Sequence, residues 1–267
     1  MAGTDDAVDD DALYVLTAVL LTPAQFPSVL GDDFPAACAA LGLEPYAQGY
    51  GLVLGQDSDG ARWTVAIDDV SLVAVAIASW DCGMEYELSP SERTVVAALP
   101  GWPLPVAVSA PGVPAPHDPA PEEGDRPPLA PPGTEEWGPA QRRLGADEIA
   151  LLWAEWRQQI GDDEASASPD TPEGERKAAH EGVQRALKEA RGYVDSPPPV
   201  GRVRSSFAPG GARTLRADGP GWSMVARTDD IAFVLLDEEP REVLPVGRGP
   251  QLPALLDALD KMAVRPA

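Results

Sequence analysis

The sequence predicts an α+β protein with two antiparallel β-meander sheets, each packed with short helices, the second sheet preceded by a helical hairpin. Three observations lead there. Short apolar runs rich in β-branched and aromatic residues recur between Gly, Pro and Asp-Asp turn signals on both sides of a proline-rich stretch. Segments with apolar residues at helical spacing flank them, most clearly at 147–160 and 250–262. Of the 267 residues, 44% are apolar, which is enough to build real cores.

Residues 1–11, with Asp5, Asp6, Asp9, Asp10 and Asp11, read as an acidic disordered tail whose charge is wrong for the n-region of a secretory signal. An acidic α+β domain is expected over 12–110. Ala12–Leu21 has the content of a buried strand, and Thr22-Pro23 offers a helix cap with proline at the first helical position. Asp33, Pro35 and the run Ala36–Leu41 before Gly42 mark a short helix. From Tyr50 the pattern changes to strands: Gly51–Leu54, a turn at Asp57–Gly60, Trp63–Ile67, a turn at Asp68-Asp69, then Val70–Ser79. Ser89-Pro90-Ser91-Glu92 reads as a capping box that announces a short helix over Thr94–Leu99.

Residues 100–140 contain 13 prolines among acidic and small residues, a composition that buries too little apolar area to offset the entropy of ordering. A stiff, locally extended linker is therefore expected over 111–145. Pro127–Pro132 has the form of a polyproline ligand, a reading second to that of a spacer.

A second α+β domain is expected over 146–267. Ile149, Leu152, Trp153, Trp156 and Ile160 share one helical face, with Asp147 and Glu148 where the helix dipole favours them, and both tryptophans read as core. A second helix opens at Thr171-Pro172, carries the stripe Ala179, Val183, Ala186, Leu187, Ala190 and Val194, and stops at Pro197-Pro198-Pro199. The two are expected to pair as a hairpin. Short strands follow at Arg202–Phe207, Arg213–Arg216, Gly221–Arg227, Ile231–Leu236 and Val243–Val246. Leu252, Leu255, Leu256, Leu259 and Met262 then form a helix that should pack on one face of that sheet. Asp59-Gly60 with Trp63 and Asp68-Asp69 echoes Asp218-Gly219 with Trp222 and Asp229-Asp230, and a divergent internal duplication is one reading of this echo.

Charge narrows the function. Residues 1–140 carry 22 acids against Arg62, Arg93 and Arg126, whereas residues 141–267 carry 21 acids against 17 bases. A field of that sign repels nucleic acid and anionic membranes and steers basic proteins toward the front half. The longest apolar runs, Leu13–Leu21 and Val70–Trp80, fall short of the ~20 residues a spanning helix needs. Cys38 and Cys82 read as reduced thiols of a cytoplasmic protein. Arginine far outnumbers lysine, 17 to 3, as in GC-rich, actinobacterial-like compositions.

Catalytic motifs are sparse. His117 and His180 are the only histidines, and zinc, phosphate-loop and nucleophile-elbow signatures are absent, so no cofactor, metal or catalytic residue is assigned. Gly49, Gly51 and Gly55 read as strand and turn glycines rather than a dinucleotide fingerprint. The pairs Asp68-Asp69 and Asp229-Asp230 read as turn formers. Arg202, Arg204, Arg213 and Arg216 are a minor anion-binding candidate beside the leading reading, neutralisation by nearby acids on a solvated face. The segment Trp80–Glu87 mixes aromatics, a thiol and acids, and Asp81, Glu85, Tyr86 and Glu87 are the candidates for contacting a partner.

The expectation is a non-enzymatic cytosolic protein-binding module, of adaptor, chaperone or immunity type, whose acidic N-terminal domain engages a basic protein. A carboxylate-based hydrolase of a small substrate and a structural subunit of a larger bacterial assembly are the competing readings. The twinned sheet-and-helix plan loosely resembles bacterial secretion chaperones, the actinobacterial type VII kind among them, with no stretch carrying a motif of that family.

Overall fold

The computed structural model describes residues 13–24, 33–81, 90–101, 117–130, 136–166 and 173–265. The chain divides into two compact units, one formed by Met1–Thr22 with Cys38–Pro132 and the other by Pro23–Ala37 with Gly133–Ala267. Each unit holds one antiparallel meander, so the fold is α+β as predicted.

In the first unit the strands β1 (Tyr14–Leu21), β2 (Tyr50–Gln56), β3 (Arg62–Ile67) and β4 (Val95–Pro100) lie in sequence order, each antiparallel to the next. Helix α1 (Phe34–Leu41) stands between β1 and β2 in the chain, with residues 33–37 belonging to the second unit and residues 38–41 to the first. Asp33 caps it, its Oδ1 accepting from the Ala36 amide at 2.8 Å, and Phe34, Ala37, Cys38 and Leu41 form its buried face at helical spacing. Helix α2 (Val70–Asp81) packs on one face of the sheet, where Val73 and Ala76 meet Ala18, Val53, Val65 and Ile67. Leu52, Leu54, Thr64 and Ala66 point to the other face and are fully buried as well, so β2 is covered on both sides.

Two elements differ from the sequence reading. Val70–Ser79, expected as a strand, lies in α2. An unbroken apolar run fits a buried strand or a buried helix equally, and Asp69 decides it: its Oδ1 accepts from the amides of Ser71 (3.1 Å) and Leu72 (3.2 Å), capping a helix. Thr94–Leu99, expected as a helix, is instead the end of a turn at Thr94 followed by strand β4 from Val95. The Ser91 carbonyl accepts from both the amide and the hydroxyl of Thr94 and closes a turn, and Val95 then pairs with Ile67 of β3.

Residues 117–130, within the expected linker, are tied to the first sheet. The His117 amide donates to the Gly60 carbonyl (2.7 Å), Asp118 pairs with Arg62, and the Leu129 amide donates to the Pro100 carbonyl (2.8 Å). Polar bonds at both ends hold a segment that has little apolar surface to bury.

In the second unit, helices α3 (Pro139–Leu151), α4 (Trp153–Ser166) and α5 (Glu173–Asp195) precede the strands β5 (Val203–Phe207), β6 (Arg213–Gly219), β7 (Trp222–Arg227), β8 (Ala232–Leu236) and β9 (Glu239–Val246). Helix α6 (Leu252–Met262) closes it. The single helix expected over 147–160 is two, bent at Leu152, where φ −104° and ψ 36° leave the helical region.

The helices divide between the two faces of the five-stranded sheet. Ala186, Leu187 and Ala190 of α5 join Leu252, Leu255, Leu256 and Leu259 of α6 over Leu215, Trp222, Met224 and Val234. Ala146, Ile149 and Trp153 cover Val225, Phe233 and Leu235 on the opposite face, with Trp153 edge-on to Phe233 at 5.1 Å. The described parts of α4 and α5 thus pack into different clusters and do not form the expected hairpin, because the strict alternation of β7 and β8 gives each face its own apolar stripe to be covered. The internal echo extends over the hairpins β2–β3 and β6–β7. It ends at the acidic turn, after which the first unit continues into α2 and the second into β8.

Candidate functional site

The first unit presents an acidic surface. Among its described residues Glu44, Asp59, Asp68, Glu92, Glu122, Glu123 and Asp125 are exposed, against exposed Arg93 and Arg126; Arg62 is occupied by Asp118. With so few cations nearby, most of these carboxylates face solvent uncompensated, and they set the local field.

One end of the sheet concentrates this charge around aromatics. Tyr46 sits in the loop before β2 and is 49% exposed, with its ring 6.2 Å from that of Tyr50. The Tyr50 hydroxyl donates to the Glu44 carbonyl at 2.9 Å and fixes the loop. Burial pushes the Tyr50 phenol up, and the nearby acids, Glu44 and Asp68 among them, push it further. The Asp68 amide donates to the Thr94 carbonyl, and Glu92 is exposed in the turn just before Thr94. An exposed ring on a surface with many carboxylates can accept Lys or Arg side chains through the ring face, with ion pairing beside it.

Of the residues singled out from sequence, Asp81 is the last residue of α2, and Glu85, Tyr86 and Glu87 lie outside the described residues. Comparison with protein-family models, curated proteins and solved structures gave no match. The acid pairs have structural work. Asp69 caps α2, and the Ser71 hydroxyl, followed by the Leu72 amide, holds its carboxyl below the ordinary range. Asp229 is held low chiefly by its hydrogen bond from Arg227. Asp230 accepts from Arg157 at 3.1 Å and from the Trp153 indole at 3.3 Å. Asp69 and Asp229, held ionised in this way, are poor proton donors. Among the described residues no group of three His, Cys, Asp or Glu side chains converges on a metal-sized site, and no helix is long and apolar enough to cross a membrane.

The arginines grouped from sequence go to separate acids: Arg202 to Asp33, Arg204 to Asp218, Arg213 to Asp260 and Arg216 to Asp147. Neutralisation is as expected, but its setting is not, because Arg204 and Arg216 are buried between sheet and helix. The aromatic site at Tyr46 was missed from sequence. Its signal is Leu43-Glu44-Pro45-Tyr46, an acid and an aromatic around a proline immediately before a strand.

Proposed function

We propose that the protein is a non-enzymatic, cytosolic binding module whose acidic first unit engages a basic protein, with Tyr46, Glu44, Asp68 and Glu92 at the centre of the contact. The observation that carries this reading is the excess of exposed carboxylates on the first unit, with Tyr46 exposed in the loop before β2. Hot spots are typically aromatic, and a surrounding charge of one sign raises association rates and sets salt dependence.

The test is capture from a lysate of the source organism with the full chain, comparing wild type, Tyr46→Ala and the triple reversal Glu44→Lys, Asp68→Lys, Glu92→Lys at 50 and 500 mM salt. The expected result is a protein of high isoelectric point held at low salt, released at high salt, weakened by Tyr46→Ala and lost in the triple variant. Equal capture by wild type and triple variant, or no basic protein among those captured, refutes the proposal.

A further inference from the structure

The edge of a β-sheet presents a row of unpaired amides and carbonyls, and proteins guard such edges with charge, proline or a covering segment. Among the described residues, three of the four sheet edges are guarded in this way. The Ser205 amide of β5 donates to the Val264 carbonyl (2.9 Å) and the Val264 amide to the Val203 carbonyl (3.0 Å), so the segment after α6 covers that edge. Strand β9 carries Pro240 and Pro245 together with Glu239, Arg241 and Glu242. Strand β4 ends at Pro100 and is met there by Leu129, which bridges to Gly101. The edge formed by β1 is different. Tyr14–Leu21 contains neither a charge nor a proline, and among the described residues β2 is its one ladder partner. Val15, Thr17, Val19 and Leu20 are half-buried, so apolar side-chain surface flanks the backbone. At 3.3 Å per residue such an edge is roughly 23 Å long.

Carboxylates bracket it. Tyr14 pairs with Gln56, and the turn that follows carries Asp57 and exposed Asp59. At the other end Leu21 pairs with Tyr50, whose hydroxyl holds the loop bearing exposed Glu44, and Gly51 pairs with Ile67, immediately before exposed Asp68. The middle of the edge is thus apolar and both ends are acidic. A second copy of this chain fits poorly, because two β1 strands side by side set these acids against one another in either direction. An extended segment with a β-branched centre and Lys or Arg at each end meets both features, gaining backbone bonds along the edge and ion pairs at the turn and the loop.

We propose that β1 is the docking edge for the basic partner, which adds an extended segment of this kind as a fifth strand of the first sheet. The inference rests on the reading of the first unit as a module for a basic protein, and it states how that protein is held.

The test is titration of the full chain at 50 mM salt with a fluorescent peptide, Lys-Arg-Val-Thr-Val-Thr-Val-Arg-Lys. One control peptide has proline at two adjacent central positions, which removes a donor from each side of the strand, and another has Glu for every Lys and Arg. Saturable one-to-one binding is expected, at least tenfold tighter than for either control. Hydrogen exchange in the complex should slow at least tenfold within residues 14–21 and stay unchanged in β5 and β9. Asp59→Lys with Asp68→Lys, both at exposed positions, should weaken binding at least tenfold while circular dichroism is unaltered. No saturable binding, unchanged exchange over 14–21 with peptide bound, or full affinity in the double variant overturns the proposal. Sedimentation of the chain alone as a dimer whose 14–21 amides become exposed to exchange on dilution also overturns it, in favour of β1 pairing with itself. The two readings fail separately: binding of the proline peptide as tight as the first, with the Glu peptide weak, overturns the docking edge alone, whereas equal binding of the Glu peptide overturns the basic partner with it.

Discussion

Asp218 is the residue on which the polar face of the second sheet depends. Its Oδ1 accepts from the Ser223 hydroxyl, whose oxygen in turn accepts from Arg142 at 2.6 Å, and its other oxygen faces Arg204. Removing one partner of a buried ionic set leaves an uncompensated charge, which costs about 3–5 kcal/mol. Asp218→Asn should lower stability by that order in urea unfolding, far more than Asp257→Asn at the exposed pair with Lys261. Burial pushes the Asp218 carboxyl up, but Arg216, Arg204 and Ser223 together push it down harder, so its folded value lies below the ordinary one. Its contribution is therefore present above the unfolded value, near 3.9, and is lost as pH falls through the lower folded value. Unfolding midpoints should drop below about pH 4, and that drop should be shallower in Asp218→Asn.

Tyr193 has the opposite sign. Its hydroxyl donates to the Asp218 carbonyl at 2.7 Å and its ring stacks on Trp222 at 6.0 Å; burial is the main reason its phenol is pushed up to about 12. The stability it adds is present below the unfolded value near 10 and is lost as pH rises from there toward 12. Tyr193→Phe should cost about 1 kcal/mol at pH 8 by deleting the hydrogen bond. It should also reduce the loss between pH 10 and 11.5, measured by urea midpoints at both values.

At the scale of elements, the docking of α2 turns on Gly51. A Cβ there would come within 2.3 Å of Val73 Cγ2 and 2.9 Å of Ile67 Cγ1, so the helix sits directly on bare β2 backbone. Gly51→Ala should destabilise by about 1–3 kcal/mol through overpacking. Gly192→Ala on α5 meets nothing within 4 Å and should stabilise by up to about 1 kcal/mol through helix propensity. Chemical denaturation of the two variants gives opposite shifts if the packing is as described. The same contrast shows which elements were legible. Leu252, Leu255, Leu256 and Leu259 recur among polar residues, so α6 could be read from spacing alone. Val70–Ser79 has no polar residue between Leu72 and Ala78 to show a face, and only the Asp69 cap distinguishes helix from strand. The capping-box pattern before Thr94 was a false signal, since β3 offered Val95 and its neighbours a partner that local propensity cannot register.

For the whole molecule, charge is divided between a solvated excess and a buried near-balance. The exposed carboxylates of the first unit repel one another over the ~30 Å screening length of 10 mM salt and far less over the ~8 Å of 150 mM. The melting temperature should therefore rise between those two conditions, as calorimetry would show; a fall would mean that surface ion pairs outweigh the repulsion. The excess was plain in the sequence, because it is a count. The aromatic site was not, since exposure of Tyr46 depends on how its loop meets β2, and the buried pairing of the arginines was not, since Asp147 and Asp33 reach Arg216 and Arg202 from distant parts of the chain.

That last pairing also bears on how the chain reaches its fold. The second meander joins neighbouring strands by short connections, so its contacts form at small loop-closure cost. Asp33 is different: it docks on Arg143 and Arg202 after three of the four strands of the first sheet, β2 to β4, have intervened in the sequence. The second unit can zip its strands early, yet it cannot finish until a segment made long before returns to it. Refolding should then show a fast phase followed by a slower step that Asp33→Asn removes, and the second unit becomes the last thing the ribosome's product completes although its first residues are among the earliest made.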